Sequence, residues 1–131
     1  MQKCTLTLIT TADGKETREG HAAELLFDGS SAIFRYQDGD TSVVLTVSEG
    51  EAVVKRSGEY SMRLPLKAKF FTEGELSVGG SSGTLPIYTE SVEFSKKVAG
   101  IRFRLNYQLI FEEERQEMCV SGYARINGEE L

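Results

Sequence analysis

Residues 101–111 limit what the chain can fold into more than any other segment. Apolar or aromatic side chains occupy every odd-numbered position of this segment, and mostly polar ones occupy the even-numbered positions. A period of two separates the two classes onto opposite faces of an extended strand, whereas the 3.6-residue period of a helix would mix them. Val43, Leu45 and Val47 show the same alternation earlier in the chain. These segments predict β-strands with one face in a core.

Turn signals recur between such stretches at short intervals. Glycine adopts the positive φ of tight hairpins, and an acidic residue directly before it strengthens the signal. No stretch has a helical period, so at most a single helical turn is expected, around residues 65–69. The two prolines, Pro65 and Pro86, are expected at a strand start, a bulge or an edge. The predicted turns are Asp13-Gly14, Asp28-Gly29, Asp38-Gly39, Glu49-Gly50, Ser57-Gly58, Glu73-Gly74, the stretch 79–83 and Ala99-Gly100.

The number of strands and the shortness of the turns together indicate a meander. About eight to ten strands fit between the turn signals, and closing such a meander removes the exposed edges that promote aggregation. With 131 residues, of which 40% are hydrophobic, the chain is long enough for one core. The sequence predicts an all-β protein with one domain, residues 1–131, forming a single antiparallel barrel that is closed or nearly closed.

Charge and hydropathy exclude several classes of partner. The net charge of −5 produces no field that attracts nucleic acid. Residues 1–10 alternate polar and apolar side chains, which is not the pattern of a signal peptide. A membrane-spanning helix needs a run of about 18 apolar residues, and the sequence contains none. We therefore expect a cytoplasmic protein without a nucleic-acid partner or a membrane span.

Several short segments resemble a known family. They are Phe34-Arg35-Tyr36, residues 43–50, Val54-Lys55-Arg56-Ser57-Gly58, Thr72-Glu73-Gly74-Glu75-Leu76 and Leu105-Asn106-Tyr107-Gln108-Leu109. In this order they resemble the small bacterial YwiB-like proteins, over roughly residues 20–126. The resemblance implies a calycin-like β-barrel, related in shape to lipocalins and fatty-acid-binding proteins, and it implies no activity.

Arg56 is the cation most worth following. It shares parity with Ala52 and Val54 and should point into the barrel with them. A buried guanidinium requires an anionic partner, which either the protein or a ligand could supply, and the sequence leaves both open. Tyr36 and Tyr107 could offer hydroxyls to the same ligand. Arg102 and Arg104 have the opposite parity to Phe103 and should face water.

Catalytic and metal-binding chemistry finds little support in the spacing. Residues 79–83 match Gly-x-Ser-x-Gly, but His21 precedes Ser81 in the chain, and a loop is the better interpretation. His21 is the single histidine, so no His-based metal site or His pair is expected, and packing on a strand or the surface is favoured. The acidic groups at Asp38/Asp40, Glu49/Glu51 and residues 112–114 are interpreted as solvated turn charges.

The two cysteines, Cys4 and Cys119, lack the close spacing of a zinc or redox motif. Both fall on terminal strands, which are neighbours in a closed barrel, so a disulfide is geometrically conceivable although unusual in a cytoplasm.

Two functions of different classes remain, and neither is enzymatic. In the first, the barrel mouth binds a small apolar or amphipathic, anionic ligand through Arg56, Tyr36 and Tyr107. In the second, a filled barrel acts through its outer surface or as a homodimer. A lumen with free volume would favour the first, and a continuous apolar patch on the outside would favour the second. No cofactor and no metal are expected. The first outer patch to consider comprises Arg102, Arg104, Asn106, Gln108 and Ile110.

Overall fold

A computed structural model describes residues 1–126, and these residues form ten antiparallel strands. No described residue lies in a helix, so none forms one long enough to cross a membrane. The strands are β1 (Gln2–Ala12), β2 (Lys15–Phe27), β3 (Ser31–Asp38), β4 (Thr41–Ser48), β5 (Glu51–Ser57), β6 (Tyr60–Lys67), β7 (Phe71–Val78), β8 (Ser81–Lys97), β9 (Gly100–Phe111) and β10 (Glu114–Ile126).

The sheet closes on itself. Each strand pairs with the next in the chain, and β1 also pairs with β10, which gives the circular order β1-β10-β9-β8-β7-β6-β5-β4-β3-β2. Leu6, for example, lies opposite His21 of β2 and opposite Ala124 of β10. The predicted closed meander barrel is therefore confirmed.

The barrel interior holds the core. On β9 the odd-numbered residues Ile101, Phe103, Leu105 and Tyr107 are buried, while Arg102 and Arg104 are exposed, as the alternation predicts. Phe34 contacts Phe103 across the interior, with ring centroids 5.6 Å apart. Because one cluster of buried side chains from many strands fills this region, the middle of the barrel is a packed core.

One end of the barrel is closed by backbone hydrogen bonds across the interior. The amide of Gly50, in the β4–β5 turn, donates to the Val92 carbonyl (3.0 Å), and the amide of Lys69, in the β6–β7 loop, donates to the Thr89 carbonyl (2.7 Å). The amide of Ala68 also donates to the Gly50 carbonyl (2.9 Å). These bonds tie two turns to β8, which bulges between Thr89 and Ser91. We call this end the closed end.

Two predictions near the closed end are wrong. The expected helical turn at 65–69 is instead the end of β6 and the following loop. The β6–β7 ladder reaches only Arg63, so on that side Pro65 has no ladder partner. The N–H and C=O of one residue point to the same side of a strand, and the Pro65 carbonyl accepts a hydrogen bond from Thr72 Oγ1 (2.6 Å). The proline therefore sits where a missing N–H costs no ladder bond.

Gly74 is the second wrong prediction, because it lies within β7 and not in a turn. A Cβ at this position would lie 2.9 Å from Leu64 Cδ2 and 3.1 Å from the Arg63 carbonyl oxygen. This glycine therefore serves the close approach of β6 to β7 and not a change of chain direction.

The cysteines cannot form a disulfide in this fold. In the β1–β10 ladder Cys4 lies opposite Ile126, whereas Cys119 lies opposite Thr11, near the other end of the pair. Cys4 is buried in the core and Cys119, with the opposite parity, belongs to the outward set, and both are free thiols. The register thus rules out the bond that strand adjacency alone allows.

Gly122→Ala should destabilise the barrel. A Cβ at Gly122 would overlap the Phe103 ring, which is 3% exposed and held against Phe34. Overpacking of this kind costs roughly 1–3 kcal/mol of unfolding free energy, measurable by urea denaturation. Gly20→Ala is the matched control, because a Cβ at that strand glycine meets nothing within 4 Å. Equal effects of the two substitutions would contradict this account of Gly122.

Thr89→Val should leave the protein as stable or make it more so. Thr89 is 0% exposed, and its Oγ1 has no hydrogen-bond partner among the described residues. An unsatisfied buried hydroxyl costs about 1–3 kcal/mol, and a methyl group of the same shape removes that cost. The change in unfolding free energy checks this, and a clear loss of stability would show that the hydroxyl has a partner.

Candidate functional site

The end of the barrel opposite the closed end is lined by half-buried side chains, and we call it the open end. It carries the β1–β2, β3–β4, β5–β6, β7–β8 and β9–β10 turns. Met62, Leu85, Leu109 and Met118 point inward here and are only partly buried against the core. The top of the core therefore presents an apolar floor to the open end.

A gap in the sheet runs into the open end between β2 and β3. These two strands pair only from Glu24↔Arg35 to Phe27↔Ala32, although β2 pairs with β1 from Lys15 to Leu25. Residues 15–23 of β2 thus have one neighbouring strand only. Several charged, exposed side chains lie along this edge, which discourages pairing with another chain. We call this gap the β2–β3 seam.

An ion pair lies beside the seam. Arg56 Nη2 donates to Asp38 Oδ2 at 2.9 Å, joining β5 to β3 across Val43 of β4. Burial by itself would lower the pKa of Arg56, but the hydrogen bond to Asp38 and the nearby Tyr60, Tyr36 and Asp38 outweigh it and raise that pKa. The guanidinium therefore stays charged at any physiological pH.

The pair answers one question that the sequence leaves open. Arg56 does point inward, with 24% of its side chain exposed, and the protein itself supplies an anionic partner. Asp38 was expected to be a solvated turn charge; 39% of its side chain is exposed, but the carboxylate is also the ion-pair partner of Arg56. It ends β3 on the inward face, where the guanidinium reaches it.

The ion pair does not satisfy the whole guanidinium. Arg56 Nε is buried and has no hydrogen-bond partner among the described residues. Tyr36 and Tyr107 lie close enough to feel its charge. Burial raises the pKa of each phenol to about 12, although the Arg56 charge acts in the opposite direction. Both hydroxyls are therefore neutral donors at physiological pH.

His21 and Glu19 complete the group on the other side of the seam. The His21 ring packs on Tyr36, with centroids 4.5 Å apart and planes at 30°. His21 Nε2 and Glu19 Oε1 lie 2.8 Å apart, and the His21 side chain is 12% exposed. The contact with the Tyr36 ring fits the interpretation of His21 as a packing residue, but the imidazole also lies close to the carboxylates of Glu19 and Asp38.

The three residues proposed from the sequence, Tyr36, Arg56 and Tyr107, all face the open end. Sequence reasoning did not group Glu19, His21 and Asp38 with them. The shared parity of Glu19 and His21 was a usable signal, but the sequence does not show that the β2–β3 ladder stops at Glu24↔Arg35 and leaves side chains to bridge the rest. Arg102 is on the outer face over the Tyr123 ring, 4.6 Å from its centroid, and takes no part.

The raised tyrosine pKa values predict alkaline destabilisation. In the unfolded chain a phenol ionises near its ordinary value of 10, whereas Tyr36 and Tyr107 hold their protons in the folded protein until about pH 12. The unfolded state therefore releases more protons, and stability should fall as the pH rises from 10 towards 12. Unfolding free energies across this range measure the slope. Tyr107→Phe should make it shallower, and an unchanged slope would contradict the assignment.

The comparisons with known proteins place the chain in a family. Residues 5–120 match the model of a domain of unknown function, DUF1934. The barrel is similar to the crystal structure of the ywiB protein from Bacillus subtilis, with a TM-score of 0.83 and 16% identity over 96% of this chain and 92% of that one. No curated protein matches the sequence. The resemblance to the YwiB-like proteins is thus confirmed, and the chain belongs to the DUF1934 family of unknown function, with a closed ten-stranded barrel.

Proposed function

We propose that the protein binds a small amphipathic anion at the open end of its barrel. The observation that carries this proposal is Arg56, an inward-facing guanidinium with a buried Nε that has no partner among the described residues. A buried donor without a partner costs free energy, and more so when it is charged. An anionic ligand would remove that cost.

The donor geometry suits a carboxylate, sulfonate or phosphate head group. Arginine presents its N–H groups in a planar fork, and Asp38 occupies Nη2 at 2.9 Å. Nε–H remains for a ligand oxygen, and charge-assisted hydrogen bonds of this type are the strong ones. Because burial raises the pKa of Tyr36 and Tyr107 to about 12, their hydroxyls can donate to the same head group.

The apolar part of the ligand would lie on the floor of the open end. Met62 and Met118, with Leu85 and Leu109, supply a half-buried surface there. Methionine adapts to irregular shapes, which suits a small hydrophobic group of variable outline. The packed middle of the barrel limits the depth of entry, so the proposal is for a short ligand at the mouth and not for a long acyl chain along the axis.

A matched pair of dyes tests the proposal. 8-Anilinonaphthalene-1-sulfonate and N-phenyl-1-naphthylamine share the same aromatic core, but only the first carries an anionic group. Fluorescence titration should show tighter binding of the sulfonate. Arg56→Met should weaken that binding roughly tenfold or more, because a charge-assisted hydrogen bond contributes about 1.5–3 kcal/mol, and it should leave the neutral dye little affected.

Two further variants make the result specific. Arg102→Met removes the same charge from the outer face and should leave the affinity for both dyes unchanged. Tyr107→Phe leaves the Arg56–Asp38 pair in place and should weaken the binding of the sulfonate dye alone. Thermal unfolding checks that each variant is folded. Sulfonate binding that is absent, or that Arg56→Met leaves unchanged, would reject the site. Native mass spectrometry that shows a dimer without any bound ligand would then favour the alternative, a barrel that acts through its outer surface.

A further inference from the structure

Three side chains that could act as metal ligands lie together at the β2–β3 seam. The donor atoms of Glu19, His21 and Asp38 all lie within 4.8 Å of one another. Glu19 and His21 are two positions apart on β2 and share its inward face, and Asp38 ends β3 opposite them. Two carboxylates and one imidazole from two strands thus converge on one point.

The spacing of these atoms is close to that of a metal centre. Ligand atoms on one Zn²⁺ ion are about 3–3.5 Å apart, since each bond is about 2.0–2.2 Å long. His21 Nε2 and Glu19 Oε1, at 2.8 Å, already approach this spacing. Small side-chain rotations would bring the third donor into place, and Glu19, with 46% of its side chain exposed, is free to make them.

Neighbouring residues orient two of the three donors. The His21 ring is stacked on Tyr36, which directs Nε2 towards Glu19. Asp38 Oδ2 accepts a hydrogen bond from Arg56 Nη2, which leaves the other carboxylate oxygen for an ion. Metal-binding carboxylates and imidazoles are commonly fixed in this way by hydrogen bonds or packing outside the ligand set.

We propose that Glu19, His21 and Asp38 bind a divalent transition-metal ion of the Zn²⁺ type across the β2–β3 seam. The ion would join two strands that the backbone ladder leaves apart at this point. Three protein ligands leave a fourth position towards the open end for water or for an anionic group. The proposed metal site does not depend on the proposed anion site, since its test uses the metal ion alone.

The test uses the untagged full-length protein and ZnCl₂. Isothermal titration calorimetry should show one site. Because His21 is the single histidine of the sequence, its imidazole NMR signals report unambiguously whether Nε2 binds the ion. Co²⁺ should produce visible absorption bands without thiolate charge transfer, which excludes Cys119 as the ligand.

Three variants decide the outcome. His21→Phe keeps a ring on Tyr36 but removes the nitrogen, and Glu19→Gln removes one carboxylate; each should weaken Zn²⁺ binding at least about tenfold. Glu16→Gln makes the same chemical change on the outward face of β2 and should leave affinity unchanged. Absence of Zn²⁺ binding, binding that His21→Phe retains, or displacement of Zn²⁺ by millimolar Mg²⁺ would overturn the proposal.

Discussion

The pairing of β1 with β10 is the constraint on which the rest of the structure depends. It joins the two ends of the chain from Cys4↔Ile126 to Ala12↔Met118. Such contacts are far apart in sequence, so they carry a large loop-closure cost. In return, the outer edges of both terminal strands are paired, and nine of the ten described strands, all except β7, contribute side chains to one core.

The candidate functional groups lie where two other strand ladders are incomplete. The ladder fails between β6 and β7 towards the closed end and between β2 and β3 towards the open end. At the closed end, the loop around Lys69 covers the interior through backbone hydrogen bonds. At the open end, side chains bridge the seam, and they are charged or polar because they remain half in water. Backbone hydrogen bonds thus cover one end of the barrel, and charged or polar side chains line the other.

Sequence reasoning succeeded where the physics was local. Alternation along β9 separated Phe103 from Arg102, and parity along β5 turned Arg56 inward, since a strand's period of two needs no knowledge of its neighbours. It failed for the backbone of residues 65–69 and for Gly74, where the determining contact comes from an adjacent strand. Residues 65–69 were interpreted as a helical turn, although they lie where the β6–β7 ladder has ended, and Gly74 was interpreted as part of a hairpin turn, although it lies where β7 closely approaches β6.

The sequence by itself determined the class of fold, the inward face of most strands and the residues Tyr36, Arg56 and Tyr107 as candidates at one mouth. Only the tertiary structure decided that Asp38 is the partner of Arg56 and that His21 lies beside Glu19 and Asp38. The physical reason is register. Which residues of two strands face each other depends on where their ladder begins and ends, and the closure of the whole barrel sets that for every strand at once.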